Sequence, residues 1–302
     1  MKKLFQKLLE IGVRMTKNIL IIGGSGSIGK KIVKRIENKY NVYVIDKKKY
    51  NSNSKNITVK KIDLSTMDHL KDSLPKKIMI LYLAGNLQNK KSGTELIKSI
   101  NDNIIALTKT LFILENKISR IVFLSSISVY GKPKSLPITE NTPILPFTDY
   151  GIQKASAEIV LNSFCNNHNI PFTIIRLSQL FGVPSAKHSL PHIIKNNHKH
   201  KRITKITTSP KTKRDYVYIN DLIDFLEVVL KSKKNGIYNF GSGKGISISS
   251  LLKSINIKNK IKFSINTNNE SSFSQYFDIN KAVKIFGYIP EHDIRSWMIS
   301  DK

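Results

Sequence analysis

The feature that most constrains the fold is a short apolar segment that runs directly into a glycine-rich turn. Asn18–Ile22 is apolar from its second residue onward, as expected for a parallel strand buried on both faces. Helical spacing of apolar residues follows over Lys30–Lys39, and Asn41–Ile45 predicts a second strand that ends at Asp46. The turn carries glycine at three regular positions: Gly23, Gly26 and Gly29. This pattern predicts a strand–turn–helix–strand unit of the dinucleotide-binding kind.

The chemistry of such a unit explains its residue types. Glycines let the backbone approach a pyrophosphate, and the N–H groups at the helix start, here Ser27 and Ile28, face its charge. Asp46 lies 20 residues after Gly26, where a carboxylate can bind both hydroxyls of the adenosine ribose. A carboxylate also repels a 2′-phosphate, so the sequence favours NAD. Three lysines directly after Asp46 could bind such a phosphate, which keeps NADP as the alternative: Lys47, Lys48 and Lys49.

Predicted strands and helices continue to alternate along the chain, which indicates a parallel sheet covered by helices on both faces. The further predicted strands are 57–64, 78–84, 120–125 and 172–177. A helix is predicted over Gly93–Asn116 and another over Thr148–Asn167. The fold class is therefore α/β, with a Rossmann-type doubly wound parallel sheet.

A second group of residues indicates acid–base chemistry. Tyr150 and Lys154 are four residues apart, which on a helix places both on one face. An ammonium beside a tyrosine favours tyrosinate and so lowers the pKa of the phenol. Such a tyrosine can take a proton from a sugar hydroxyl, and a serine at a strand end can orient that hydroxyl.

With these motifs in order, the sequence resembles the extended short-chain dehydrogenase/reductases, the NAD-dependent epimerase/dehydratase group that modifies nucleotide sugars. The resemblance runs from about Lys17 to Trp297. It rests on the glycine turn, the SSISVYG segment before Tyr150, and the later segments RLSQLFG, RDYVYIND and YNFGSG. It implies an NAD-binding domain over 17–177, with later segments near 214–241 interleaved, and a smaller C-terminal α/β substrate domain over 178–302.

The resemblance also implies residue roles. Ser126, Tyr150 and Lys154 would be catalytic, with Tyr150 as the acid/base and Lys154 also holding the nicotinamide ribose. Gln179 and Arg214 would contact the substrate, with Arg214 as the clamp on its pyrophosphate. Beyond the glycine turn and Asp46, the cofactor would be bordered by residues at several strand ends and in one helix: Asp63, Leu64, Leu83, Ala84, Gly85 and Asn103.

Departures from the family pattern bear on the reaction. Gln179 stands where the family often has Asn, and Tyr82 stands where it often has His.

The residues after the serine strand bear on the reaction type. In dehydratases of the family this segment reads Thr/Ser-Asp-Glu or Ser-x-Glu, whereas this chain has Ile127 and Ser128. Without that carboxylate, 4,6-dehydration is disfavoured. The expected function is an NAD-dependent nucleotide-sugar epimerase, acting at C4 of a UDP- or GDP-sugar for surface-polysaccharide precursors, and the alternative enzyme is a 4-keto nucleotide-sugar reductase using NAD(P)H.

Composition raises a third function class. The 302 residues carry a net charge of +29, which invites a nucleic-acid-binding or nucleotide-sensing protein on the same fold. Only 7 of the 50 basic residues are Arg, the residue preferred for phosphate and base contacts, so we interpret the lysines mainly as solvated surface. The segment 188–200 is rich in His but lacks acids, so no metal site is expected. The one cysteine, Cys165, is expected in the core.

The remaining expectations concern surroundings and assembly. Residues 1–16 form a basic, partly apolar segment that we interpret as a surface extension, with weak membrane contact as the alternative. No apolar run approaches the ~20 residues needed to span a bilayer, so a cytoplasmic protein is expected. Relatives of this kind pair through two helices from each subunit, so the resemblance implies a homodimer.

Overall fold

The computed structural model describes residues 17–65, 73–87, 92–183, 189–259, 263–265 and 273–299. Its centre is a seven-stranded sheet formed by β1 (Asn18–Ile22), β2 (Asn41–Asp46), β3 (Ile57–Lys61), β4 (Ile78–Tyr82), β5 (Ile118–Ser126), β6 (Phe172–Leu177) and β11 (Gly236–Phe240). The strands lie in the order β11-β6-β5-β4-β1-β2-β3, and every neighbouring pair is parallel. The α/β fold class predicted from the sequence is confirmed.

Three further two-stranded pairs lie in the C-terminal part of the described chain. Their strands are β7 (Gln179–Phe181), β8 (Thr204–Ile206), β9 (Lys213–Arg214), β10 (Tyr216–Tyr218), β12 (Ile246–Ser247) and β13 (Phe263–Ile265). The pairs are β7 with β10, β9 with β12 and β8 with β13. The chain thus leaves the main sheet after β6 and returns to its edge at β11, beside β6 itself.

The helices are α1 (Ser27–Ile36), α2 (Gly93–Ile100), α3 (Ala106–Leu114), α4 (Asp149–Asn167), α5 (Leu190–Lys199), α6 (Ile219–Lys231), α7 (Ile248–Asn259), α8 (Asn280–Phe286) and α9 (Ile294–Ile299). A π-helical turn, Asn101–Ile105, joins α2 to α3. Short 3₁₀ turns lie at Glu115–Lys117 and Ile127–Tyr130.

The observed ends of several helices and strands differ from the predicted ones for local reasons. The first helix begins at Ser27 instead of Lys30 because Gly26, in an extended conformation, already serves as its N-cap. The third strand ends at Lys61 instead of residue 64, since the Asp63 carboxylate accepts hydrogen bonds from the backbone and hydroxyl of Ser65 and turns the chain. The helix predicted over Gly93–Asn116 is interrupted by the π turn and ends at Leu114.

Apolar side chains on the two faces of the sheet form separate core clusters, as a sheet buried on both sides requires. One face is covered by α1 and α6, which are joined by an ion pair of Arg35 with Asp224. Lys39, just after α1, forms a second ion pair with Glu227 of α6. Leu161, Phe164 and Cys165 of α4 belong to the cluster on the other face. Cys165 is buried as predicted, and burial raises the pKa of its thiol to about 12.

A third cluster, built around Phe181, Ile194 and Leu251, forms the core of the C-terminal part. Trp297 packs against it from the end of the chain, 5.4 Å from Phe181 between ring centroids. Within the described ranges, no helix combines the length and apolar character that crossing a bilayer would require. The segment 1–16 lies outside the described residues.

Candidate active site

The glycine turn brings β1, β4 and α1 close enough together to form a backbone-lined cradle. Gly23 has a φ of +86°, and a Cβ on it would lie 2.7 Å from the backbone nitrogen of Ala84. A Cβ on Gly29 would lie 2.4 Å from the carbonyl oxygen of Gly23. Only glycine fits at these two positions, and the first N–H groups of α1 remain without helical partners. This arrangement fits a dinucleotide pyrophosphate.

The carboxylate of Asp46 closes the cradle at the end of β2. Its Oδ2 accepts a hydrogen bond from the backbone of Ser25 at 2.9 Å, and its Oδ1 accepts one from the backbone of Lys48 at 2.9 Å. The Ser25 hydroxyl in turn donates to the carbonyl of Lys48 at 2.9 Å. Each carboxylate oxygen retains acceptor capacity, so the group can still receive ribose hydroxyls.

The residues expected to border the adenine and the nicotinamide follow the carboxyl ends of neighbouring strands. Asp63 lies just beyond β3, and Leu64 beside it is buried in a core cluster. Leu83 donates its N–H to the carbonyl of Ile22 at 2.9 Å, which fixes the start of the loop that leads to Ala84 and Gly85. A Cβ on Gly85 would lie 3.4 Å from the Lys154 ammonium, so this glycine keeps the loop close to the predicted catalytic helix.

Asn103 holds that loop from the π turn. Its Oδ1 accepts the backbone N–H of Asn86 at 2.7 Å, and its Nδ2 donates to the carbonyl of Asn86 at 3.1 Å. The same Nδ2 also donates to Oε1 of Gln153 on α4 at 2.5 Å. The side chain is therefore used by the protein to join the loop to α4, and a direct contact with the cofactor stays a prediction.

Ser126 and Tyr150 meet where β5 ends and α4 begins. The Ser126 hydroxyl caps the 3₁₀ turn by accepting the N–H of Ser128 at 3.2 Å. Thr148 caps α4, and a Cβ on Gly151 would lie 2.5 Å from the carbonyl oxygen of Ser128, so this glycine lets the helix start pack against the turn. Burial raises the pKa of Tyr150, and a hydrogen bond with Ser126 opposes that rise.

Lys154 lies one turn further along α4 and is 3% exposed. Its ammonium donates to the carbonyl oxygen of Leu124 at 2.8 Å and lies 4.6 Å from the ring centroid of Phe123. Burial lowers its pKa to about 8, while the charge of Glu158 raises it. In this structure burial raises the pKa of Tyr150 and the hydrogen bond with Ser126 opposes that rise, so the effect expected of Lys154 stays a prediction.

A buried polar network behind these residues was missed by sequence reasoning. Glu158, one turn beyond Lys154, pairs with Arg176 of β6 and accepts a hydrogen bond from the Ser125 hydroxyl. Arg176 also donates to the hydroxyl of Tyr130 at 2.8 Å, and that hydroxyl donates to Asn239 at 2.7 Å. The network ties α4 to β5, β6 and β11. Its sequence signal was a Glu at the i+4 position after Lys154 on an inward face of the helix.

The predicted substrate residues lie on the small strands beyond β6. The backbone of Gln179 donates to the carbonyl of Asp215 at 3.1 Å, which brings it beside Arg214. The Arg214 guanidinium donates to the carbonyl of Phe273 and lies 5.3 Å from the centroid of that ring. Burial lowers the pKa of Arg214. The Nη1 atom that donates to Phe273 also donates to the carbonyl of Lys213 at 3.2 Å, and a contact of Arg214 with a pyrophosphate stays a prediction.

Asp215 directly follows Arg214, and its structural role was also missed. It is 1% exposed, and its carboxylate accepts hydrogen bonds from the backbones of Ser242, Gly243 and Phe277 at 2.7, 3.2 and 3.2 Å. Burial raises its pKa, and these hydrogen bonds lower it. The residue thus anchors two chain segments, at 242–243 and at 277, beside Arg214. Its sequence signal was weak, because a single Asp between two short strands, β9 and β10, has no special spacing.

The histidines of the segment 188–200 do not gather in the described part of the chain. His192 hydrogen-bonds Ser189 at 2.8 Å and lies 5.0 Å from the Trp297 ring, whereas His198 and His200 are exposed. His188 lies outside the described residues. Across the described ranges, no group of three or more potential metal-ligating side chains of His, Cys, Asp or Glu is present.

Comparison with known proteins agrees with this geometry. A putative UDP-glucose 4-epimerase of Methanocaldococcus jannaschii is 29% identical over 301 residues, which cover 92% of this chain and 94% of the relative. The structure of a UDP-N-acetylglucosamine 4-epimerase from Methanobrevibacter ruminantium M1, in complex with UDP-N-acetylmuramic acid, superposes with a TM-score of 0.84 at 24% identity and covers 94% of this chain and 96% of that one.

A UDP-glucuronic acid 4-epimerase from Bacillus cereus, in complex with UDP-glucuronic acid and NAD, superposes with a TM-score of 0.83 at 21% identity. The match covers 93% of this chain and 96% of that one. These two likenesses confirm the fold. Residues 19–241, which include the glycine turn, Asp46, Ser126, Tyr150 and Lys154, match the family described as the NAD dependent epimerase/dehydratase family. The chain therefore belongs to the NAD-dependent epimerase/dehydratase family, and it is an NAD-dependent enzyme of that group.

Proposed function

We propose that this chain is a UDP-sugar epimerase that inverts the configuration at C4 of the sugar. The observation that carries the proposal is the contact between Ser126 and Tyr150, with the buried Lys154 one helical turn away. The 3₁₀ turn that follows Ser126 contains Ile127, Ser128, Val129 and Tyr130, so it offers no carboxylate for elimination of water. The M. jannaschii relative, named for 4-epimerization of UDP-glucose, supports the same substrate class.

The roles follow from this arrangement. Ser126 hydrogen-bonds the C4 hydroxyl and orients it toward Tyr150, which takes the hydroxyl proton and later returns it to the same oxygen. Lys154 supplies positive charge that favours the tyrosinate form. The glycine turn and Asp46 would hold NAD, which would supply reversible hydride transfer with C4 and so allow return of the hydride to the opposite face of the sugar. Substrate and product have the same oxidation state, so the reaction consumes no external reductant.

Arg214 and Gln179 supply the substrate end of the site in this proposal. Arg214 would grip the pyrophosphate between sugar and nucleoside, where its fork of N–H donors matches phosphate oxygens. Gln179, partly exposed beside it, would donate an amide hydrogen bond to the same region. Asp215 keeps the backbone of this corner in place through its hydrogen bonds to Ser242 and Phe277.

The test is an assay of the purified enzyme with UDP-glucose, UDP-N-acetylglucosamine and UDP-glucuronic acid, without added reductant. We expect at least one of them to convert to its C4 epimer, detected by chromatography and proton NMR. In deuterated water the hydrogen at C4 should be retained, because it moves as hydride. Tyr150→Phe serves as the control, with turnover lost by at least about 100-fold and NAD still bound.

Three outcomes would contradict the proposal. Conversion only when a 4-keto nucleotide sugar and stoichiometric NAD(P)H are supplied would identify the alternative, a keto-reductase. Incorporation of deuterium at C4 would exclude hydride transfer from that carbon. A Tyr150→Phe variant with full activity would remove the assigned acid/base.

The proposal includes a homodimer. α2, α3 and α4 carry large apolar side chains that are exposed in the single chain, including Ile97 at 62%, Phe112 at 58% and Ile159 at 67% exposure. Ile105 and Ile152 extend the same group at 38% and 47%. Contiguous apolar surface on packed helices is typical of a protein–protein interface. Pairing of these helices with those of a second copy would cover it.

The cellular role belongs to the proposal as well. We assign the enzyme to the cytoplasm and to the supply of nucleotide sugars for surface polysaccharides. The support for this assignment is the proposed substrate class, since a nucleotide sugar is an activated donor for glycosyl transfer. Deletion of the coding sequence and analysis of surface glycans tests it, with unchanged glycans as the opposing result.

A further inference from the structure

We propose that Asp63 and Asp102 make the cofactor site selective for NAD over NADP by occupying the ammonium of Lys47. The inference rests on the cofactor site described above. Lys47 directly follows Asp46 and is the basic residue next to the ribose corner. By its position alone it could bind a 2′-phosphate. In the structure, however, its ammonium contacts the carboxylates of Asp63 and Asp102.

The Lys47 ammonium is held between two carboxylates from separate segments. It lies 3.0 Å from Oδ2 of Asp63, just beyond β3, and it also donates to Oδ1 of Asp102 in the π turn. Both carboxylates are themselves fixed by other groups. Oδ1 of Asp63 accepts the hydroxyl of Ser65 at 2.6 Å, and Oδ2 of Asp102 accepts the amide of Asn86 at 3.0 Å.

The pKa shifts of Lys47 and Asp63 agree with this geometry. Burial lowers the pKa of Lys47, but hydrogen bonds with Asp102 and Asp63 outweigh that effect and raise it overall. The pKa of Asp63 is lowered overall, because hydrogen bonds from Ser65 and Lys47 outweigh the opposing effect of burial. A salt bridge that favours the charged form of both partners leaves little of the Lys47 charge to attract a further anion.

The charges around the corner oppose a 2′-phosphate. Asp46, Asp63 and Asp102 contribute three negative charges and Lys47 one positive charge, a local sum of −2. A phosphate monoester brings roughly 1.5 to 2 more negative charges at neutral pH. Lys48 and Lys49 are exposed, as Lys47 is, and point charges that water surrounds contribute little. The ribose hydroxyls of NAD, by contrast, are neutral donors that suit a carboxylate-rich corner.

The test is a competition for the site. Wild type and variants are incubated with equal, large excesses of NAD and NADP, freed of unbound nucleotide, and denatured, and the released dinucleotides are quantified by chromatography. Wild type should release almost only NAD. Asp102→Asn should raise the ratio of NADP to NAD by about tenfold, because an isosteric amide no longer neutralises Lys47. Asp63→Asn tests the same effect from the other carboxylate and decides the matter if Asp102→Asn does not fold.

A matched variant identifies Lys47 as the released group. Lys47→Ala in wild type should leave the ratio unchanged, whereas Lys47→Ala combined with Asp102→Asn should abolish the gain. An unchanged ratio in both Asn variants, or a gain that persists without Lys47, would overturn the inference. If the wild type retained neither dinucleotide, the result would contradict the cofactor site itself. If it bound NAD but epimerized no UDP-sugar, the result would contradict only the proposed function.

Discussion

Glu158 and Arg176 form a buried ion pair, with Nη2 of Arg176 2.7 Å from Oε2 of Glu158 and side-chain exposures of 2% and 4%. Because the pair shares hydrogen bonds with Ser125 and Tyr130, its charges are well compensated despite their burial. Glu158→Gln leaves the guanidinium without its counter-charge, so we expect the free energy of unfolding to fall by about 3–5 kcal/mol. Urea denaturation followed by circular dichroism measures this.

The control for that variant is an ion pair of the same type at the surface. Arg295 and Asp293 pair near the C-terminus, where Arg295 is 48% exposed. Asp293→Asn should cost less than about 1 kcal/mol. Equal losses in the two variants would mean that burial of the Glu158 pair has no particular importance for stability.

The hydrogen bond between Ser126 and Tyr150 predicts a shift in the pH dependence of activity. This bond lowers the pKa of Tyr150, so Ser126→Ala should raise it. If tyrosinate is the base, activity rises with pH as Tyr150 loses its proton, and that limb of the profile should move to higher pH. We also expect kcat to fall by about 10- to 100-fold. Profiles of kcat and of kcat/KM against pH, extended as far into the alkaline range as the protein stays folded, check both; a smaller kcat with an unmoved limb would contradict the assigned role.

Glu227 of α6 pairs with Lys39, just after α1, and this contact predicts that the free energy of unfolding depends on pH. Burial raises its pKa, but hydrogen bonds with Lys231 and Lys39 outweigh this and lower it from 4.5 to about 2. A folded-state pKa below the unfolded value contributes stability above about pH 4.5 that is lost as the pH falls toward 2. Glu227→Gln should therefore cost about 1 kcal/mol at pH 7. The difference from wild type should shrink below pH 4.5, and a difference that is constant from pH 7 to pH 3 would contradict this.

The exposed apolar residues of α3 and α4 predict an assembly. If they form the proposed dimer interface, Ile159→Lys should shift the mass measured by light scattering after size exclusion from about two chains to one. Ile289 is exposed to a similar degree, at 63%, but lies outside these helices. Ile289→Lys is the matched control and should leave the mass unchanged. A wild type that is already a single chain at micromolar concentration would refute the dimer.

The glycine turn, Asp46 and the Tyr150–Lys154 spacing could be predicted because each depends on neighbours close in sequence. A strand, a turn and a helix start within twelve residues of Asn18, so local propensity and side-chain period were enough. β6 was predicted with its observed bounds for the same reason.

The contacts that sequence reasoning missed join residues far apart in the chain. Lys47 reaches Asp102 across 55 positions, and Tyr130 reaches Asn239 across 109. Such pairs depend on the order of strands in the sheet, which periodicity does not reveal. The π turn was missed because it interrupts a helix without any proline or glycine to mark it.

The π turn lets the helix of residues 93–114 carry one extra residue. A π turn holds about one residue more than a regular helical turn, so α2 and α3 keep nearly the relative rotation of a continuous helix. The same extra residue in a regular helix would rotate one half by about 100° relative to the other. Asp102 and Asn103 are consecutive, yet both side chains bond Asn86. The widened turn therefore adds a second polar contact to the loop after β4 without rotating α2 relative to α3.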